Sequence, residues 1–145
     1  MDPSVTLFGP VDTYLAPYIA YVMLVLIVVN MAARAFEFGQ IKEQAAEGAE
    51  TIGRNPLRVA TNFLLVVGAF YYLTVSRHAG MIISVLVLGV FLTDLFEFES
   101  RKVEARQGWD VERPWGAIGA SLVAFLYITY QALFFVVAPY WDLIV

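Results

Sequence analysis

Four long apolar stretches constrain this sequence more than any other feature. Residues 14–36, 57–76, 81–98 and 115–138 carry few charges. Each is close to the roughly 20 residues that a helix needs to cross a hydrocarbon layer of about 30 Å. Hydrophobic residues make up 60% of the chain and the mean hydropathy is +0.70, beyond the usual range of a soluble domain. The sequence therefore predicts an all-α integral membrane protein with four transmembrane helices, forming a single membrane domain over residues 1–145.

The basic residues predict the orientation of these helices. Eight of the nine Lys and Arg residues border or lie within the two longer connections, 37–56 and 99–114, and only Arg77 lies on the other side. Because Lys and Arg accumulate on the cytoplasmic side, we expect both connections to be cytoplasmic and both termini extracellular, in a multi-pass protein of the cell membrane. The first dozen residues carry no positive charge, so we expect no removable signal peptide.

Local signals place the helix ends. Asp12 or Thr13 is suited to cap a first helix that runs to Phe36 and continues into a polar extension, with Gly53 as its stop. The turn that includes Pro56 then starts the second span. Only residues 77–80 separate the second span from the third, so these two helices are predicted to be antiparallel neighbours.

The two halves of the chain resemble one another at a shift of 60 residues. This shift aligns Phe-Glu-Phe at 36–38 with Phe-Glu-Phe at 96–98, Lys42 with Lys102, and Gly48 with Gly108. We interpret the match as a tandem duplication of a two-helix hairpin, residues 1–76 and 77–145. Each half contains two spans, so the repeat is parallel and its pseudo-two-fold axis follows the membrane normal, unlike the inverted repeats of many secondary transporters.

Four charged residues at equivalent places in the repeat form a candidate ion site or inter-repeat charge site. Glu37 and Glu97 each lie between phenylalanines near the predicted cytoplasmic boundary. Facing one another across the axis, they could share a proton or bind a cation. Alternatively each pairs locally, Glu37 with Arg34 and Glu97 with Arg101. One turn further in, Arg34 and Asp94 have opposite charges and could form a salt bridge between the first and third helices.

Small residues indicate close helix packing. Gly116, Ala120 and Ala124 form a small-xxx-small stripe on the last span, and Gly68 and Gly89 interrupt the second and third spans. In lipid such residues let helix backbones approach one another, either within one chain or between copies.

Several function classes lack the residues that they need. The chain has no Cys and one His, His78 in the predicted turn, so no catalytic triad and no Cys- or His-rich metal site is expected. No glycine-rich phosphate loop occurs, and neither Lys lies within a span. The net charge of −4 does not suggest nucleic-acid binding. We expect no catalytic, cofactor-binding or metal-binding residues.

The acidic composition with more Arg than Lys, the two Phe-Glu-Phe segments and the charged connections resemble the small, uncharacterised four-span membrane proteins of haloarchaea. The resemblance implies a prokaryotic cell membrane and no particular activity. We expect a non-enzymatic structural or accessory protein of the lipid bilayer, which forms a homo-oligomer or binds another membrane protein. The alternative is a small oligomeric channel or transporter that uses Glu37, Glu97 and Asp94.

Overall fold

The helices follow the apolar stretches of the sequence. The computed structural model describes residues 8–48 and 53–144, and within them it contains helices and turns but no strand. In chain order the elements are α1 (Pro10–Tyr14), a 3-10 turn (Ala16–Tyr18), α2 (Ile19–Ala46), α3 (Pro56–Val75), α4 (Arg77–Arg106), α5 (Trp115–Val137), a second 3-10 turn (Ala138–Tyr140) and α6 (Trp141–Ile144).

Helices α2 to α5 are long and apolar enough to cross a membrane. Large apolar side chains cover their outer faces; Val25, Phe63, Val85 and Leu126 remain between 61% and 71% exposed. Water disfavours a continuous apolar surface of this kind, whereas lipid tails accept it. The prediction of an all-α chain with four helices of membrane-spanning length is confirmed.

The four long helices form a ring. Each packs against its neighbours in the sequence, and α5 closes the ring by packing against α2, while α2 and α4 lie diagonally opposite with few contacts. The described parts of the two longer connections, residues 47–48, 53–55 and 107–114, lie at one end of this bundle, which we name the connection end. The α3–α4 turn lies at the other end, which we name the turn end.

The core toward the turn end consists of closely packed apolar side chains. On each helix the buried residues recur every three or four positions, so they form one inward stripe. Because lipid tails are as apolar as the core, these helices associate mainly through van der Waals packing and hydrogen bonds. The completely buried members include Met23, Ile27, Leu65, Ile83, Val87 and Ile128.

Two glycines let α3 approach its neighbours. A Cβ atom added to Gly68 would lie 2.6 Å from Met23 Sδ on α2, and one added to Gly80 would collide with the backbone of Leu73 and Tyr72. A single residue, Ser76, separates α3 from α4, and Gly80 lies at the fourth position of α4, in its first turn. The hairpin between α3 and α4 is therefore tighter than the predicted turn of residues 77–80, which all belong to α4.

The polar ends of α2 and α4 differ from the predicted boundaries. Helix α2 ends at Ala46, and Gly48 has a φ of 79°, so this glycine terminates the helix in place of Gly53. Helix α4 continues to Arg106 through a segment predicted to be a connection, and Gly108 follows with a φ of 72°. Ion pairs one turn apart, such as Arg101 with Glu97, support this extension.

The predicted start of the first long helix at Asp12 or Thr13 is wrong. Residues Pro10–Tyr14 form the separate short helix α1, and a 3-10 turn at Ala16–Tyr18 precedes α2. Pro17 explains the break, because it provides no N–H for the helical ladder. Tyr71 Oη donates a hydrogen bond to Asp12 Oδ1 over 2.7 Å, which ties this lead to α3.

Candidate functional site

Polar and charged side chains from all four long helices meet inside the bundle near the connection end. Helices α2, α3 and α4 each contribute residues spaced three or four apart, so that they share the inward face of their helix, and α5 contributes one residue. Their burial inside an apolar bundle requires that they satisfy one another. The buried members are Asn30, Arg34 and Glu37 on α2, Arg58, Thr61 and Asn62 on α3, Asp94 and Arg101 on α4, and Ser121 on α5. We name this set, together with Arg54 and Glu97, the charge cluster.

Asp94 lies at the centre of the charge cluster and is 4% exposed. Its Oδ2 accepts hydrogen bonds from Arg54 Nη2 at 2.6 Å and from Asn62 Nδ2 at 2.7 Å. Its Oδ1 accepts a hydrogen bond from Arg58 Nη2. Two guanidinium groups and an amide therefore surround one carboxylate, which ties α4 to α3 and to the residues that precede α3.

Glu37 joins α2 to the beginning of α3. Its Oε2 accepts a hydrogen bond from the backbone N–H of Asn55 at 3.0 Å, and its Oε1 lies 3.7 Å from Arg58 Nη1. Asn55 is the N-cap of α3, since its Oδ1 accepts hydrogen bonds from the N–H groups of Leu57 and Arg58. Glu37 thus fixes the position of a helix start that the Asn55 side chain caps.

Glu97 has a matching position on α4. Its Oε1 accepts a hydrogen bond from the backbone N–H of Gly116 at 3.2 Å, in the first turn of α5, and its Oε2 lies 3.1 Å from Arg101 Nη1. Arg101 also contacts Glu104 Oε2 through its Nε at 2.7 Å. Each Phe-Glu-Phe segment therefore provides a carboxylate that binds both an arginine and the start of the next long helix.

Amide and hydroxyl groups continue the network toward the core. Asn30 Nδ2 donates to Thr61 Oγ1 and to Asn62 Oδ1, both at 2.8 Å. Arg34 donates to Ser121 Oγ through Nη1 and to Asn30 Oδ1 through Nη2 at 3.4 Å. Beyond this layer begins the apolar core, so the polar network ends one or two turns inside the bundle.

The space inside the charge cluster is small. The cavity that Arg34, Glu37, Arg58, Asp94 and Glu97 help to line has a volume of about 20 Å³. A single water molecule requires about 10 to 15 Å³ by the same measure, so the cavity has room for one. Among the described residues, no group of three or more His, Asp or Glu side chains is arranged to hold a metal ion.

The same cavity is lined by all four charged residues that the sequence analysis chose: Arg34, Glu37, Asp94 and Glu97. Their ion pairs differ in part from the predicted ones. Glu97 pairs with Arg101 as predicted. Glu37 pairs with Arg58 instead of Arg34, and none of the ion pairs among the described residues joins Arg34 to Asp94. The diagonal placement of α2 and α4 explains this, because arginines from the α3 side reach Asp94 from a directly adjacent helix.

Sequence reasoning missed Arg58, together with Arg54 and Ser121. Arg58 is 1% exposed and contacts both Glu37 and Asp94, yet in the sequence it counted only as a basic residue bordering a cytoplasmic connection. A usable signal was present, because Arg58 precedes Thr61 and Asn62 by three and four residues and so shares a helix face with them.

The small residues have unequal environments. Gly68 packs against Met23, and a Cβ added to Gly116 would lie 2.7 Å from Glu97 Oε1, so both sites are close contacts within the chain. Ala124 is completely buried and Ala120 packs against the core. At Gly89, no atom of another described helix lies within 4 Å of the position of an added Cβ, so this glycine makes no close helix–helix contact among the described residues.

A family model described as a domain of unknown function, DUF7313, matches residues 2–145, which is nearly the whole chain. The chain belongs to the DUF7313 family. The charge cluster and all four long helices of this DUF7313 chain lie within the matched range. Comparison with curated proteins and with solved structures gave no match.

Proposed function

We propose that this protein is a non-enzymatic structural or accessory membrane protein, which associates with copies of itself or with another membrane protein. One observation carries the proposal: the carboxylates inside the bundle are paired with arginines around a cavity of about 20 Å³, and apolar packing closes the bundle beyond them. An interior of this kind favours a stabilising role for the charges. The outer faces of the four long helices are then the surfaces that would contact another copy or a partner protein.

The alternative, a small channel or transporter that uses Glu37, Glu97 and Asp94, needs these carboxylates to face a water-filled path. Each of the three is bound to an arginine. Asn30 donates a hydrogen bond to Asn62, and Asn62 donates one to Asp94, so neither amide is left to line a vestibule. The geometry of a single chain therefore supports the accessory role better.

We also propose that the chain arose by tandem duplication of a two-helix hairpin. Equivalent helices, α2 with α4 and α3 with α5, lie diagonally opposite in the ring, as a pseudo-two-fold axis along the bundle requires. The equivalent residues Glu37 and Glu97 both accept an N–H from the start of the next long helix, and Gly48 and Gly108 both follow a helix end with positive φ. These correspondences support two hairpins, 1–76 and 77–145, in a parallel repeat.

We further propose that the connection end faces the cytoplasm of a prokaryotic cell and that both termini are extracellular, on the basis of the Lys and Arg distribution. At this end α2 and α4 extend beyond the charge cluster and pack against one another through Ile41 and Phe98, with Ala105 and Val111. This paired extension offers a partner a surface outside the lipid.

The first experiment is native mass spectrometry of the gently solubilised complex, followed by cation-flux assays in proteoliposomes. We expect a homo-oligomer or a stoichiometric foreign membrane subunit, together with flux no greater than that of empty vesicles. A monomer without any partner would contradict the accessory role. Flux that Glu37→Gln or Glu97→Gln abolishes would favour the channel instead.

A further inference from the structure

A second, larger cavity opens between α2 and the start of α5, on the outer side of the charge cluster. Its volume is about 170 Å³, compared with about 20 Å³ for the cavity inside the cluster. Among the described residues that line it, Arg34 and Arg113 are the only charged ones, so this lining is cationic at one place and otherwise apolar. The apolar part includes Met31, Ala35, Phe38 and Ile118. We name this cavity the α2–α5 cleft.

Arg34 is buried and forms no ion pair with a carboxylate of the described residues. It is 5% exposed, and within the described chain its hydrogen bonds go to the neutral groups Ser121 Oγ and Asn30 Oδ1, while its Nε has none. Every nearby carboxylate is bound to another arginine: Glu37 and Asp94 to Arg58, and Glu97 to Arg101. A buried charge without a counter-ion is costly. An anion in the α2–α5 cleft would remove this cost.

Arg113 provides the second positive charge at the surface of the cleft. Its guanidinium lies over the Phe38 ring, 5.3 Å from the centroid, and none of the ion pairs among the described residues includes it. Two arginines in the lining of one cleft are suited to an anionic phosphate group, which accepts several charge-assisted hydrogen bonds.

The surroundings of the cleft favour a lipid over a soluble anion. Trp115, two residues after Arg113, is 67% exposed, as expected of an aromatic side chain in the interfacial region of a membrane. The apolar lining continues from the arginines along α2 and α5, where an acyl chain would lie beside other lipid tails. Basic pockets between transmembrane helices on the cytoplasmic side are suited to anionic headgroups.

We propose that the α2–α5 cleft binds an anionic phospholipid, with its phosphate between Arg34 and Arg113 and the beginning of one acyl chain along Met31, Ala35 and Ile118. The lipid phosphate acts as the counter-ion of Arg34. The proposal does not depend on which protein partner the chain has.

The charges are tested by native mass spectrometry of the full chain with added phosphatidylglycerol or phosphatidylcholine. We expect the unmodified protein to retain phosphatidylglycerol selectively. The Arg113→Gln variant should bind this lipid about tenfold more weakly, the effect of losing one charge-assisted contact. Arg77→Gln, at the turn end, is the matched control and should bind as the unmodified protein does. Equal retention of both lipids, or equal loss in the control, would overturn the proposal.

Arg34→Gln adds a stability measurement. In lipid-free detergent this change should not lower the thermal midpoint, because the neutral hydrogen-bond partners remain and an unpaired charge is removed. Phosphatidylglycerol should raise the midpoint of the unmodified protein but not that of the variant. An equal rise in both proteins would contradict the role of Arg34. Should Arg34→Gln fail to fold, Arg113→Gln still tests the site.

The role of the apolar lining of the α2–α5 cleft is tested by a substitution that fills the cleft with a larger side chain. Ala35→Phe places a ring in the cleft, whereas Ala32→Phe changes an exposed residue of α2 outside the lining. We expect only Ala35→Phe to lose phosphatidylglycerol, although both variants keep every charge. Inorganic phosphate alone should not raise the thermal midpoint; a rise equal to that produced by phosphatidylglycerol would show a phosphate site without a lipid requirement and overturn the proposal.

Discussion

Asp94 connects more of the charge cluster than any other carboxylate described. Arg54, Arg58 and Asn62 all donate to it, and it is 4% exposed. In a buried pair the loss of one partner leaves the other without compensation, and this uncompensated charge dominates the cost. The stability of the bundle should therefore be more sensitive to Asp94 than to acidic residues at its surface.

We expect Asp94→Asn to lower the free energy of unfolding by about 3 kcal/mol, since two guanidinium groups lose their carboxylate. Glu99→Gln is the matched control on the same helix, because Glu99 pairs with Lys102 at 3.0 Å but its side chain is 57% exposed; its effect should remain below about 1 kcal/mol. Unfolding in mixed micelles measures both. Equal effects of the two changes would show that burial does not determine how much these ion pairs contribute to the free energy of unfolding.

Sequence reasoning found only part of this site, and the reason lies in the kind of signal available. Glu37 and Glu97 could be predicted because the repeat places the same motif twice near a span boundary. The partner of Glu37 could not be predicted by the same means, because Arg58 reaches it from a neighbouring helix, whereas Arg101 lies one turn from Glu97 on the same helix. Which helices are adjacent depends on the ring arrangement, and no spacing within one helix reveals it.

At the scale of the elements, the close contact between α3 and α4 rests on a glycine. Gly80→Ala should destabilise the protein by about 1 to 3 kcal/mol, because the new methyl group collides with the Leu73 and Tyr72 backbone, which cannot move aside as a flexible side chain can. Gly89 lies on the same helix, but no atom of another described helix lies within 4 Å of an added Cβ there. Gly89→Ala should therefore raise the stability by up to about 1 kcal/mol through better helix propensity.

Thermal unfolding in detergent compares these two variants directly. Opposite signs would support the tight α3–α4 contact. A loss of stability for Gly89→Ala similar to that of Gly80→Ala would indicate that Gly89 packs against a second copy of the chain, the between-copies role that its place in the third span also allowed.

The centres of the long helices could be predicted, whereas several of their ends could not. The centres of these helices follow from the length of apolar sequence that is needed to cross the hydrocarbon layer of a membrane. The ends depend on local competition: Pro17 separates α1 from α2, Gly48 stops α2, and α4 continues beyond the apolar stretch. Polar helix ends outside the lipid have no hydrophobic boundary, so only their caps and ion pairs mark them.

At the scale of the whole molecule, four apolar helices and one polar end leave two possible orientations in the membrane. The bundle itself is compatible with both, since lipid contacts its outer faces in either case. The Lys and Arg distribution distinguishes them, and it predicts that the connection end is cytoplasmic. This orientation also determines which leaflet would supply the lipid of the α2–α5 cleft.

The absence of cysteine from the sequence makes the orientation directly measurable. Ser100→Cys introduces one thiol on the exposed extension of α4 at the connection end, and His78→Cys introduces one at the exposed turn end. A membrane-impermeant maleimide should label His78→Cys in intact cells and Ser100→Cys only after the membrane is opened, because a thiol on the cytoplasmic side is shielded from the reagent. The unmodified chain, which cannot react, is the background control. The reverse labelling pattern would place both termini in the cytoplasm, and the acidic residues of the connections would then have outweighed the positive-inside rule.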